Sequence, residues 1–276
     1  MLRIVQKMKI YEKIKIIYAF TEKEIKKSWR YKYFFLTRIF IEPILSMVPF
    51  LLIYSGIFYS ENLIEFGGIT QENYLSWLFI GSLFHIFAFQ GFTAFENRFI
   101  TEKYWMTIQG SLLAPISKYY LLFGIIIEVF IESSISFIIL SIFSYIFSPT
   151  NFFNIFLIFI ILFITLLGTA GIGLIDGAFA ISNEDYRFFF KYCYFIMLFL
   201  SCYAIPYAIF PKFLEPFILI NPLYHSIFLI REIWFNSFSL NCITSLIILL
   251  IFTSLSLLLS VMIFNKIWKK FGIEGY

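Results

Sequence analysis

Glu128 and Glu132 stand four residues apart in the otherwise uncharged apolar stretch 119–147, so on a helix they share one face. Two ionised carboxylates there repel each other, and exposing them to lipid is costly. They are expected to face the interior of a bundle. Two roles fit that placement: a polar patch or proton site on a transport path, or interhelical hydrogen bonding with one of the pair protonated. Asp176 is a third carboxylate in apolar surroundings, close to one end of the stretch 152–181, where a snorkelling interfacial position is expected. Gly173 and Gly177 flank it at the spacing that lets helices approach closely. His85 reads as a hydrogen-bonded bundle residue. His225 has no Cys, Asp or second His beside it, and Cys193, Cys202 and Cys242 are odd in number without metal-like spacing, so no metal site is expected. The chain has no G-x-x-x-x-G-K-[ST] phosphate loop and is not expected to hydrolyse ATP itself. No Ser/His/Asp, His-rich or metal-ligand cluster gathers at a membrane face, which disfavours an integral-membrane enzyme. No catalytic, cofactor-binding or metal-binding residue is assigned.

The elements that must carry these residues follow from composition. Hydrophobic residues make up 61% of 276 positions and charged ones 14%, too little polar surface for a soluble domain of this size. Lipid must be the solvent. Runs long enough for a hydrocarbon core of about 30 Å occur at 39–60, 74–95, 119–147, 152–181, 192–210 and 240–264. A broken apolar segment covers 213–235. Ser148-Pro149-Thr150-Asn151 is a turn cluster, so the spans on either side of it form an antiparallel hairpin.

Charge sets the orientation. Nineteen of the 21 Lys/Arg fall on one side of this arrangement, eleven of them before position 40; only Lys212 and Arg231 fall on the other. The first outer loop carries Glu61, Glu65 and Glu72 and no cation. The positive-inside rule then places both termini in the cytoplasm of a cell membrane. It also makes 213–235 re-entrant from the outer face, turning at Asn221-Pro222, because a full span would put Lys266, Lys269 and Lys270 outside. The basic start is too long and too charged for a cleaved signal peptide and is expected to remain as residues 1–38, ahead of a six-span domain at 39–276. Within it, Thr21-Glu22-Lys23-Glu24 fits a capping box, predicting a helix start there. Ile25 and Trp29, with Lys32 or Tyr33, then form an apolar face opposite Lys23, Lys26, Lys27 and Arg30, as for a helix lying among lipid headgroups.

Three ordered features resemble the ABC-2 type transporter permeases: the basic helix running into Arg38-Ile39-Phe40-Ile41-Glu42-Pro43; the loop Glu102-Lys103-Tyr104-Trp105-Met106 through Leu112-Leu113-Ala114-Pro115-Ile116-Ser117; and Ile205-Pro206 to Pro211 followed by Asn221-Pro222-Leu223-Tyr224-His225 and Arg231. The Ile-Glu-Pro start of span one is more similar to drug, lipid and nodulation-factor exporters than to polysaccharide exporters. The resemblance implies an all-α integral membrane fold of six transmembrane helices, with an N-terminal interface helix and an outer re-entrant segment between spans five and six. It implies the membrane subunit of an exporter of amphipathic or lipid-like substrates, working as a dimer of two copies or with a related permease. ATP is bound by a separate cytoplasmic ABC ATPase, and nucleic acid is not a partner. Tyr104, Trp105, Ile108, Ser111, Leu112, Leu113 and Pro115 are the implied ATPase-coupling residues. The other class of function open to the residues is a proton-coupled secondary transporter using Glu128, Glu132 and Asp176.

Overall fold

The computed structural model describes residues 10–60, 65–106, 117–182, 185–236 and 238–274. Helix α1 (Ile10–Arg30) leads through the short α2 (Lys32–Leu36) and a π-turn, Thr37–Ile41, into α3 (Glu42–Ser60). A two-residue hairpin, β1 (Glu65–Phe66) with β2 (Ile69–Thr70), joins it to α4 (Tyr74–Tyr104). Then come α5 (Lys118–Phe147), α6 (Phe152–Ser182), α7 (Asp185–Phe199), α8 (Glu215–Ile220), α9 (Pro222–Phe235) and α10 (Asn241–Glu274). Five stretches are long and apolar enough to cross a membrane: Thr37–Tyr59, Tyr74–Tyr104, Lys118–Phe147, Phe152–Ile181 and Cys242–Lys269. The shorter α7 and a bent pair, Lys212–Ile220 with Pro222–Phe235, complete the all-α membrane architecture.

The π-turn has a cause in the sequence. Pro43 has no N–H for the carbonyl of Ile39, and its ring collides with that carbonyl in regular α geometry. The backbone widens instead: the amide of Glu42 donates to Thr37 O, and Ser136 Oγ of α5 reaches the released Ile39 O at 3.4 Å. Wider turns of this kind recur at functional sites.

At the centre, α4 packs against α6, with α10 and α5 covering the outer sides of that pair. Glycine sets the closeness of the α4–α6 crossing. A Cβ on Gly173 would stand 2.0 Å from Phe92 O, and one on Gly177 3.0 Å from the Phe99 ring. Gly173→Val should therefore lower the thermal midpoint of the purified chain sharply, by a loss on the order of 1–3 kcal/mol for overpacking; a midpoint like the parent's would mean the crossing is looser than described. The same contact buries Asp176 completely. The snorkelling position expected for it is therefore wrong, because the helices close over this end.

Three further expectations change. Thr21 does not begin a helix: α1 starts eleven residues earlier, and Thr21 Oγ1 donates instead to Ile17 O at 3.0 Å and to Gly124 O of α5 at 3.4 Å. The capping pattern is used for contact between helices, since a mid-helix threonine can satisfy its hydroxyl on the preceding turn. Helix α4 runs nine residues past the predicted 95 because Glu96, Arg98 and Glu102 find charged partners in the bundle rather than ending the helix. The fifth helix occupies 185–199 instead of 192–210, ending in a turn where Cys202 has φ 62°.

Below that turn the backbone is irregular, and such backbone at membrane depth must be satisfied by protein or water. Arg231 donates to Cys202 O at 2.8 Å and to Tyr203 O, and Tyr54 Oη donates to Ala204 O at 3.0 Å. The Arg231 guanidinium lies 3.3 Å from the centre of the Trp77 ring. A residue that counts in the sequence as an outer-side cation is thus a half-buried clamp on this backbone.

Candidate functional site

The functional residues gather where α1, the π-turn, α4 and α5 meet. Glu128 is fully buried on α5, ion-paired with Arg98 of α4, and accepts from Ser28 Oγ of α1 at 3.1 Å. Glu132, one turn further along, is ion-paired with Arg38 of the π-turn. The two carboxylates do share a face, as their spacing requires, but each has a guanidinium as countercharge. The proton supplied in the sequence reading is not needed to hold them side by side.

The cluster continues into α1. Glu24 Oε2 lies 3.5 Å from Arg98 Nε and 3.7 Å from Lys27 Nζ, and Lys23 Nζ bridges Glu24 at 3.6 Å and Glu102 at 2.8 Å. Burial would lower the Lys23 pKa, but its bonds to Glu102 and Glu24 outweigh this and raise it. These contacts tie α1 to α4, and α1 meets α5 at the glycine-permitted approach of Phe20 to Gly124, where an added Cβ would meet Phe20 Cβ at 2.7 Å. The opposite face of α1 exposes Ile14, Tyr18 and Trp29, an apolar stripe facing away from the bundle.

Beside the cluster lies a cavity of about 1270 Å³. Its polar lining includes Arg38, Glu42, Gln90, Asn97, Arg98 and Glu132; its apolar lining includes Phe35, Ile41, Leu45, Phe89 and Phe195. Leu45 and Ile41, 61% and 49% exposed, leave it open along α3. His85 lines it as well, stacked on Phe89 and Tyr203 with centroids 5.7 and 5.2 Å apart. Pockets for drug-sized ligands enclose roughly 300–1,000 Å³. This one is larger, and charged and aromatic residues both line it.

The remaining predicted positions are distributed as follows. Tyr104 and Trp105 stand at the end of α4, 67% and 59% exposed, with Lys27 Nζ 5.4 Å from the Trp105 ring centre. Ile108, Ser111, Leu112, Leu113 and Pro115 lie outside the described residues. Asn221 and Pro222 form the break at which the α8 and α9 segments bend by 87°. Asn221 Oδ1 caps α9 by accepting from Leu223 N at 3.1 Å, and its Nδ2 donates to Met197 O at 2.6 Å. His225 is held between Ser245 Oγ at 3.1 Å and Leu219 O at 2.8 Å. Among the described residues, no group of three or more His, Cys, Asp or Glu is placed to hold a metal ion.

A cavity of this size, lined by α1, the π-turn and α4 and reaching Trp105 at the end of α4, can enclose a ligand. A family model described as ABC-2 type transporter matches residues 16–235, from within α1 to the end of α9. The chain belongs to the ABC-2 type transporter family. It is thus a multi-pass membrane protein and the permease component of an ABC transporter, distinct from the ATPase, and membership implies association with an ABC ATPase subunit. No curated protein matches the chain. Sequence reasoning missed Arg38, Arg98 and Glu24 as site residues, treating them as topological charges or a cap. One signal was present: two buried carboxylates at one spacing demand two cations, and Arg38 and Arg98 each border an apolar span.

Proposed function

We propose that this ABC-2 permease exports an amphipathic or lipid-like substrate from the cytoplasmic side of the cell membrane. It is powered by a separate ATPase and assembled with a second copy or a related permease. The observation that carries the reading is the large cavity, lined by both charged and aromatic residues, whose lining includes residues of α1 and Trp105. ATP-driven closure of the ATPase pair would push on the 101–117 loop. Motion of α4 would then be felt in the cavity, since α4 contributes lining from His85 to Trp105. The bent pair at 212–235 is read as re-entrant, bordering the outer exit. The pairing of Glu128 and Glu132 with arginines speaks against the proton-carrier alternative, because a carrier must be able to lose its charge in place.

The test is orientation and partnership together. With native cysteines replaced, a cysteine at Glu65 should react with an impermeant thiol reagent in intact cells, while cysteines at Lys7, Lys103 and Lys270 should not. The tagged chain should retain an ATP-hydrolysing subunit on purification. Outer labelling at Lys270 would overturn the re-entrant assignment, and absence of any associated ATPase would overturn the reading.

A further inference from the structure

The cavity is balanced in charge. Its described lining carries three cations, Lys27, Arg38 and Arg98, against three carboxylates, Glu24, Glu42 and Glu132. A purely anionic headgroup would meet the carboxylates, and a purely cationic one the arginines. The π-turn contributes a further element. With more than four residues in its turn it holds Arg38 and Glu42 on the same side of the helix, and both line the cavity. Opposite charges are therefore displayed side by side, next to the aromatic wall of Phe35, Phe89 and Phe195.

We infer that the cavity selects zwitterionic amphiphiles: Arg38 and Arg98 take a phosphate-like anionic group, Glu42 takes the adjoining cation, and the alkyl chain lies on Ile41, Leu45 and Phe195. The inference rests on the permease reading above and adds the substrate's headgroup class. The headgroup belongs either to a bilayer phospholipid or to a soluble exported amphiphile of the same chemistry.

The experiment is equilibrium binding of radiolabelled dodecylphosphocholine, below its micellar concentration, to the full chain in nanodiscs. Dodecyl phosphate and dodecyltrimethylammonium serve as single-charge controls. Dodecylphosphocholine should bind at least tenfold more tightly than either. Glu42→Gln should reduce that preference over dodecyl phosphate to about twofold or less, and Arg38→Lys, which keeps a cation beside Glu132 but loses the forked donors, should weaken both phosphate-bearing probes while sparing the cationic one. Equal binding of all three probes, or an unchanged preference in Glu42→Gln that is folded by thermal midpoint, would overturn the inference. Binding in phosphatidylglycerol discs that is suppressed in phosphatidylcholine discs supports a bilayer lipid as the source. Binding equal in both supports a soluble amphiphile. Because the assay contains no ATPase, its failure leaves the permease reading standing, and selective binding without ATP-driven transport would count against that reading alone.

Discussion

Arg98→Met should abolish accumulation of the folded chain, and Arg98→Met combined with Glu128→Met should largely restore it. The single change leaves Glu128, which has no exposure, without its cation, and takes one partner from Glu24. Breaking a buried pair from one side costs roughly 3–5 kcal/mol, while replacing both partners by apolar residues of similar size is often neutral. Against a total stability on the order of 5–15 kcal/mol, the single loss is decisive. Monodisperse yield and thermal midpoint in detergent read the outcome. A single variant as stable as the parent, or a double variant no better than the single, would show that this pair does not hold α4 to α5.

Trp105→Ala combined with Leu112→Asp should leave the chain folded and inserted yet release its ATPase or uncouple hydrolysis from transport. Trp105 is more than half exposed at the end of α4, so its removal opens no cavity in the bundle. Aromatic anchors that are buried on docking contribute about 2 kcal/mol or more each, so the loss of Trp105 alone weakens the association roughly thirtyfold. Leu112→Asp adds a charge to the same 101–117 segment. Unchanged ATPase retention together with unchanged substrate-stimulated hydrolysis would move the docking surface elsewhere on the cytoplasmic side.

Five of the six predicted spans were legible in the sequence because they depend on length and apolarity alone; the fifth predicted span is a shorter helix. Boundaries were less so, and each shift has a local cause. Helix α4 outlasts its apolar run because Glu96, Arg98 and Glu102 pair with residues far along the chain. Helix α7 stops before its apolar run ends because Arg231 and Tyr54 donate to the carbonyls of the irregular backbone that follows. The shared face of Glu128 and Glu132 was readable from spacing. Their partners were not, since Arg38 lies some 90 residues away and joins the site only through the π-turn that Pro43 imposes. Thr21 and Glu24 matched a capping pattern whose side chains serve tertiary contacts instead, a choice decided by Gly124 and Arg98 on other helices.

The central claim is that a separate ATPase drives movement through this permease. The most direct measurement places the purified permease and its ATPase in proteoliposomes and follows a fluorescent phosphocholine amphiphile. ATP and a proton gradient are supplied separately. The account predicts uptake into vesicles whose ATPase faces outward, requiring hydrolysable ATP and surviving a protonophore. Gradient-driven uptake by the permease alone, abolished by the protonophore and by Glu128→Gln with Glu132→Gln, would contradict it.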